Sequence, residues 1–479
     1  MNGLRIKATA VLALGILAQG AGWAIPEEPP KKIGAESAAE RSARMAWWTH
    51  DRFGMFIHFG LYAIPARGEW VKCRERMDDA AYDVYFRDFN PDLFDAREWA
   101  RSARAAGMRY VVLTAKHHEG FCLWDSKFTD YKITNTPFGR DLLKEYVAAC
   151  RAEGLKVGFY YSLIDWHHPD FTIDERHPQR PFSPTQDWTD ENRAEFKRLN
   201  AGRDMARYRA YMMNQITELL TDFGKIDIIW FDFSYPKPEF GKSWRDWDSV
   251  AIVELARRLQ LGIIIDNRLD LSGTEGGWDF LTPEQMKVKA WPTKDGVRQP
   301  WETCQTFSGA WGYHRDEASW KSPHQLIGLL VHSVAHGGNL ILNVGPTARG
   351  CFDGRALDRL GAFAKWMRFN SRAIYGCTQA PDGFKAPEGT LLTYDPERKR
   401  LYIHLCDYPM RSFYVSFFDR IDHANFLHDG SEVKCRPFNY ADHANELGDS
   451  HENDVGDGVI EVPVVKPDVE IPVVEVHLR

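Results

Sequence analysis

The sequence predicts a (β/α)8-like barrel of the TIM type, locally distorted, followed by a small C-terminal antiparallel β-sandwich. Three observations lead there. Short apolar runs alternate with amphipathic helical stretches over roughly 300 residues, the arrangement of a parallel sheet covered by helices. Glycines stand just past several of those stretches, where helices commonly end in a left-handed residue. Beyond residue 374 the texture changes to short β-rich runs between turn residues, as in a sandwich. The expected organisation is a leader at 1–24, a barrel over 35–374 and a sandwich over 375–479.

The elements follow in order. Arg5 and Lys7 form a basic start, residues 8–18 an apolar stretch, and Gly22-Trp23-Ala24 a small-residue site, so residues 1–24 are expected to be a signal peptide. The apolar stretch is short for a membrane span, and no Cys follows it for lipid attachment. An exported protein without a membrane anchor is therefore expected, periplasmic or extracellular, or lysosomal in a eukaryote. After a polar leader at 26–40, strands are expected at 54–57, 110–114, 157–161, 228–231, 263–265 and 340–342. Helices are expected at 95–106, 141–153, 190–223, 250–259, 323–335 and 353–370. The strands still needed to close a barrel of eight are expected in the irregular stretch 270–306, which places the distortion there. Sandwich strands are expected at 391–394, 400–405, 412–417, 459–465 and 473–478.

Composition narrows the function. A net charge of −7, without long runs of like charge, argues against nucleic acid as a partner. Aromatic residues make up 13%, with 17 Trp, many beside Asp, Glu or His. Such pairs suit sugars, which offer apolar C–H faces and hydroxyls together; the same Trp would also fill a large core. The eight Cys are scattered, with no CxxC and no Cys/His ligand spacing, so disulfide partners cannot be assigned. There is no GxGxxG after the first strand and no GxxxxGK[ST], so no nucleotide cofactor is expected.

The strand ends carry the chemistry. Ile228 to Phe231 reads as a strand buried on both faces, and it stops at a carboxylate, Asp232. That carboxylate either caps the next element or presents a catalytic group. His58, His117, His118, Tyr161, Asp165, Arg268 and Asn343 stand at the corresponding ends of other strands, and in a barrel those ends converge on one face. His117-His118 and His167-His168 raise a metal site. Neighbours on an extended chain point to opposite sides, however, and no HExxH is present, so no metal is expected. No GxSxG elbow supports a serine hydrolase. Paired carboxylates remain, as in glycoside hydrolysis. Asp232 is the candidate nucleophile; Glu69, Glu284 and Glu302, each beside Trp or Pro, are candidates for the acid.

The motifs Phe53-Gly54-Met55-Phe56-Ile57-His58-Phe59-Gly60, Glu69-Trp70, Lys116-His117-His118-Glu119-Gly120-Phe121, Tyr160-Tyr161-Ser162 and Ile229-Trp230-Phe231-Asp232 resemble those of the α-L-fucosidases of glycoside hydrolase family 29. Asn267-Arg268, Thr282-Pro283-Glu284-Gln285, Trp301-Glu302-Thr303-Cys304, Trp311-Gly312-Tyr313 and Gly338-Asn339-Leu340-Ile341-Leu342-Asn343 continue the likeness, which runs from about Trp47 to Tyr375. The resemblance implies a retaining exo-hydrolase that removes terminal α-L-fucose from glycans without a cofactor. It implies Asp232 as nucleophile and Glu284 as acid/base, with Glu302 as the alternative. It implies a fucose pocket lined by His58, Glu69, Trp70, His117, His118, Tyr161, Trp230, Arg268 and Trp311. Phe233 stands where many members have Gly, and Phe59 where Trp is commoner. A related exo-glycosidase, for α-L-galactose for instance, and a silent sugar-binding protein are the alternatives. Linkage preference and oligomeric state are not readable from these motifs.

Overall fold

The computed structural model describes residues 28–181, 189–237, 241–439 and 457–479. The expected signal peptide at 1–24 lies outside them. Seven parallel strands form one curled sheet: β1 (Phe53–Ile57), β2 (Tyr110–Lys116), β3 (Lys156–Ser162), β4 (Ile228–Asp232), β5 (Ile264–Ile265), β6 (Glu302–Thr306) and β7 (Asn339–Val344). Their order is β5-β4-β3-β2-β1-β7-β6. The gap between β5 and β6 is bridged by residues 280–284. Phe280 pairs with Asp266, Leu281 with Trp301 and Glu284 with Cys304. The Glu302 N–H donates to the Leu281 carbonyl at 2.9 Å, and the Gln285 N–H to Cys304 at 3.0 Å. Pro283 has no N–H to donate, one reason this segment pairs by single bridges rather than as a strand. The expected distortion in 270–306 is this segment.

Period-two alternation sorts the strand residues. Phe56, Tyr110, Val112, Tyr160, Trp230 and Cys304 form an apolar cluster inside the barrel. Their neighbours Met55, Ile57, Val111, Phe159 and Ile229 face the other way, under the helices. The helices begin on acidic caps. Asp95 accepts from the Arg97 N–H before Ala96–Ala105, and Asp141 from the Lys144 N–H before Leu142–Ala152. Gly107 follows the first at φ 88° and Gly154 the second at φ 69°, the left-handed stops that the sequence signals.

Two helical expectations differ from the structure. The helix expected over 190–223 is two, Asp190–Leu199 and Met205–Thr221. Gly202 turns left-handed between them at φ 89°, and the Asp204 carboxylate starts the second by accepting from the Ala206 N–H. Second, a helix at Ala38–Asp51 reaches back into the stretch read as a polar leader. Its Met45 and Trp48 enter the barrel's inner cluster and close its base. Arg44 fixes it there through both oxygens of the buried Asp279, at 2.7 and 3.0 Å.

Beyond residue 377 the chain forms two antiparallel sheets, of six and three strands. They face each other across Leu401, Ile403, Phe413, Val415, Ile460 and Val474. This module joins the barrel through Ile471, whose carbonyl accepts from the Trp366 indole at 3.1 Å. All eight Cys are free thiols. Among the described residues no helix is long and apolar enough to cross a membrane.

The narrow base of the barrel leaves no slack at Gly54. A Cβ there would lie 2.1 Å from the ring of Tyr110 on the adjacent strand. Gly54→Ala should therefore destabilise the fold by about 1–3 kcal/mol, the usual cost of overpacking, read as a lower denaturant midpoint at unchanged slope. An unchanged midpoint would show that the Tyr110 ring can move aside.

Candidate active site

At the C-terminal ends of the strands, an open cavity of about 370 Å³ is lined by Phe56, His58, Glu69, Trp70, His117, His118, Tyr160, Trp230, Asp232, Phe233, Arg268, Glu284, Cys304 and Trp311. It has a buried floor and a half-exposed rim. His58, Glu69, His117, His118, Tyr160, Trp230 and Asp232 are buried, whereas Trp70, Phe233, Arg268 and Trp311 are half-buried and Glu284 is exposed.

Asp232 ends β4 facing inward. Its Oδ2 accepts from the Tyr160 hydroxyl at 2.8 Å and its Oδ1 from Arg268 Nη1 at 2.8 Å. Burial, then the adjacent carboxylate, holds the Tyr160 hydroxyl well above its usual pKa, so it remains a donor. The other arm of Arg268 donates to Glu284 at 2.8 Å. One guanidinium therefore spans both carboxylates, and it lies over the Trp230 ring at 4.5 Å. Asp266 sets the backbone around this group. Its carboxylate accepts from the Phe231 N–H at 2.8 Å and the Arg268 N–H at 3.0 Å. Burial pushes the Asp266 carboxyl up to about 8.

The histidines are acceptors by the logic of their partners. Asn343 turns its amide nitrogen to the Trp311 carbonyl, so its oxygen, 2.6 Å from His58 Nδ1, accepts a hydrogen bond from the ring. Ser162 donates to the Ile164 carbonyl, so its oxygen accepts from His118 Nδ1 at 2.7 Å. Burial, then the neighbouring His117, holds both rings well below the usual pKa and keeps them neutral. Each therefore leaves Nε2 as a free acceptor; that of His118 lies 4.0 Å from Asp232. Glu69 is oriented by the N–H groups of Trp311 and Gly312 at 3.1 and 2.8 Å, both on one oxygen. The Trp230 indole N–H is buried without a partner and offers a donor. A floor of acceptors with few donors, walled by aromatic rings, matches a small sugar.

A model of the α-L-fucosidase family matches residues 27–372. The chain belongs to the α-L-fucosidase family. Among solved structures it resembles α-L-fucosidase isoenzyme 1 from Paenibacillus thiaminolyticus, with 41% identity and a TM-score of 0.81 over 92% of this chain and 99% of that one. It also resembles an α-L-fucosidase from Bacteroides thetaiotaomicron solved as a trapped covalent intermediate with 2-fluoro-fucosyl fluoride. There the identity is 27% and the TM-score 0.70, over 94% of this chain and all (100%) of that one. The human tissue α-L-fucosidase is 28% identical over 371 residues, 73% of this chain and 73% of the relative.

In this family member the structure brings together His58, Glu69, Trp70, His117, His118, Trp230, Asp232, Arg268, Glu284 and Trp311. Two expected residues lie elsewhere. Tyr161 faces out of the barrel, its hydroxyl on Gln215 at 2.8 Å and its ring under Lys116. Its neighbour Tyr160 takes the place in the pocket, because alternation from Asp232 through the Ser162–Asp232 pairing puts even positions of β3 inside. Glu302 begins β6 at the base of the barrel and hydrogen-bonds the Tyr110 hydroxyl there, beneath the cavity rather than in it. His117 and His118 both line the cavity, with ring centroids 4.0 Å apart. The alternation argument that separated them does not apply, since β2 ends at Lys116. Among the described residues no three His, Cys, Asp or Glu are grouped to hold a metal. The sequence reading missed Phe56, Tyr160 and Cys304. Strand parity was the available signal, but it needs the register between strands.

Tyr160→Phe should lower kcat for an aryl fucoside by about tenfold or more, as expected for one lost hydrogen bond to a charged group. Tyr161→Phe should instead cost about 1 kcal/mol of stability with activity retained. Glu302 gives a pH prediction. Burial pushes its carboxyl up to about 8, whereas in the unfolded chain it ionises at about 4. Between those values the folded state holds the extra proton, so stability falls as pH rises. Glu302→Gln, which mimics the protonated form, should raise the melting midpoint relative to the parent at pH 8 and not at pH 4.

Proposed function

We propose that the protein is an exo-acting, retaining α-L-fucosidase, with Asp232 as nucleophile and Glu284 as acid/base. The observation that carries this reading is the Asp232–Arg268–Glu284 bridge, which runs from the cavity floor to its mouth. The other acid in the cavity, Glu69, is committed to two backbone N–H groups, and Glu302 is sealed below. Among the carboxylates that line the cavity, these two are the pair joined by one guanidinium.

The steps follow from the geometry. Protonated Glu284 donates its proton to the glycosidic oxygen while an Asp232 oxygen bonds to the anomeric carbon, breaking the bond to the leaving group. The product is a fucosyl ester of Asp232 and a Glu284 carboxylate. Esterification removes the Asp232 charge, so Arg268 is left facing Glu284 alone. The Glu284 carboxylate takes a proton from water as the water oxygen attacks the anomeric carbon, releasing fucose with retained configuration and restoring both carboxyl groups. Tyr160 and Arg268 hold Asp232 in place, and the imidazole Nε2 atoms and Glu69 accept the sugar hydroxyls. The substrate is a fucosylated oligosaccharide or glycoconjugate. Export through residues 1–24, a catalytic barrel at 35–374 and a β-sandwich at 375–479 complete the reading.

Asp232→Gly should nearly abolish hydrolysis of an aryl α-L-fucoside, and added azide should restore turnover as a fucosyl azide. Glu284→Ala should slow substrates with poor leaving groups by ~10²–10⁴-fold, the usual size of general acid help, and activated aryl fucosides far less. If Glu302→Ala shows that leaving-group dependence and Glu284→Ala does not, the acid assignment is wrong. Full activity of Asp232→Gly would remove the nucleophile assignment.

A further inference from the structure

Phe233 directly follows Asp232 and has φ 90°. Of the ten non-glycine residues with positive φ among the described residues, its value is the largest. Eight of the others lie between 51° and 58°, and Ile471 is at 38°. A bulky side chain at this φ is a strained outlier, which persists only where its surroundings hold it. The following chain supplies that hold. Tyr235 and Lys242 exchange backbone hydrogen bonds at 2.9 and 3.1 Å, and the Tyr235 hydroxyl and the Lys242 ammonium both bind the buried Asp174. The strain presents a ring on the cavity rim. The Phe233 ring lies 5.5 Å from Trp70 and 5.1 Å from His118, and it remains half-exposed.

The division between floor and rim says what that ring meets. A terminal sugar attacked by buried Asp232 sits on the floor. The oxygen protonated by Glu284, whose side chain is 42% exposed, stands at the mouth. The unit beyond that oxygen must therefore leave past the rim, where Phe233 and Trp70 offer an apolar edge to its C–H groups. We propose that Phe233 is a specificity-determining residue that receives the unit to which the fucose is attached, and that its left-handed backbone is retained for this contact. The proposal rests on the fucosidase reading above.

The test compares Phe233→Gly and Phe233→Ala with the parent on two substrates with alkyl leaving groups. One is methyl α-L-fucoside. The other is whichever of the α1-2-, α1-3- and α1-6-linked fucosyl disaccharides the parent cleaves fastest. In both variants the ratio of kcat/KM for the disaccharide to that for the methyl fucoside should fall about tenfold, the size of one aromatic contact. Phe233→Gly should melt above Phe233→Ala, since both lose the ring but only glycine relieves the backbone. Equal losses on the two substrates would overturn the proposal, because Phe233 would then act through Asp232. An unchanged ratio, or a glycine variant no more stable than the alanine variant, would overturn it too. A parent that releases no fucose from either substrate removes the fucosidase reading itself, whereas release with an unchanged ratio removes the Phe233 assignment alone.

Discussion

A carboxylate at the inner end of a barrel strand must be held by opposite charge and hydrogen bonds, because an unpaired buried charge is costly. Arg268 does this for Asp232, and much of the site is arranged around that one guanidinium. It lies on the Trp230 ring, takes its backbone setting from Asp266, and reaches Glu284 with its second arm. Tyr160 closes the remaining side of Asp232 from the neighbouring strand. The pairing of Ser162 with Asp232 and of Tyr160 with Trp230 is what allows these groups to meet.

Much of this architecture was legible in the sequence, for a physical reason in each case. Parallel strands buried on both faces read as apolar runs, so β1 to β5 and β7 stood out, as did the acidic and glycine boundaries of their helices. β6 did not stand out. Glu302-Thr303-Cys304-Gln305-Thr306 is largely polar, and it is a strand because Asn339 to Val344 and the 280–284 segment pair with its two sides. The helix at Ala38–Asp51 was hidden by its mostly polar surface, since only Met45 and Trp48 are buried. The break at Gly202 was visible as a glycine but was outweighed by the helical pattern on both sides.

The site itself was legible to the level of residue type and strand end, and less so to the level of facing. Asp232, Trp230 and His58 share a parity with the inner cluster, and all three line the cavity. Tyr160 and Tyr161 are chemically equal neighbours, and only the register with β4 decides which enters the cavity. Glu284 and Glu302 were equal as acids beside Pro or Trp. What separates them is height in the barrel: Glu302 stands at the start of its strand and Glu284 opposite Cys304, further along the same strand. Height of this kind is a property of the closed sheet rather than of any local stretch.

Closure of that sheet carries a consequence for how the chain is made. β1 lies at Phe53–Ile57, and one of its two neighbours, β7, lies at Asn339–Val344. As the polypeptide emerges from the ribosome, β1 can pair with β2 but presents an open parallel edge until nearly the whole barrel has been synthesised. Contacts so distant along the chain form slowly, and an unpaired edge invites association with other chains meanwhile. Arg52 just before that strand and His58 just after it flank five residues without a polar side chain. The buried Arg52 also anchors the completed seam, through the carbonyls of Gly337 and Cys377 on later segments. His58 joins the later strand from the other end through Asn343, so side chains at both ends of the first strand latch the seam.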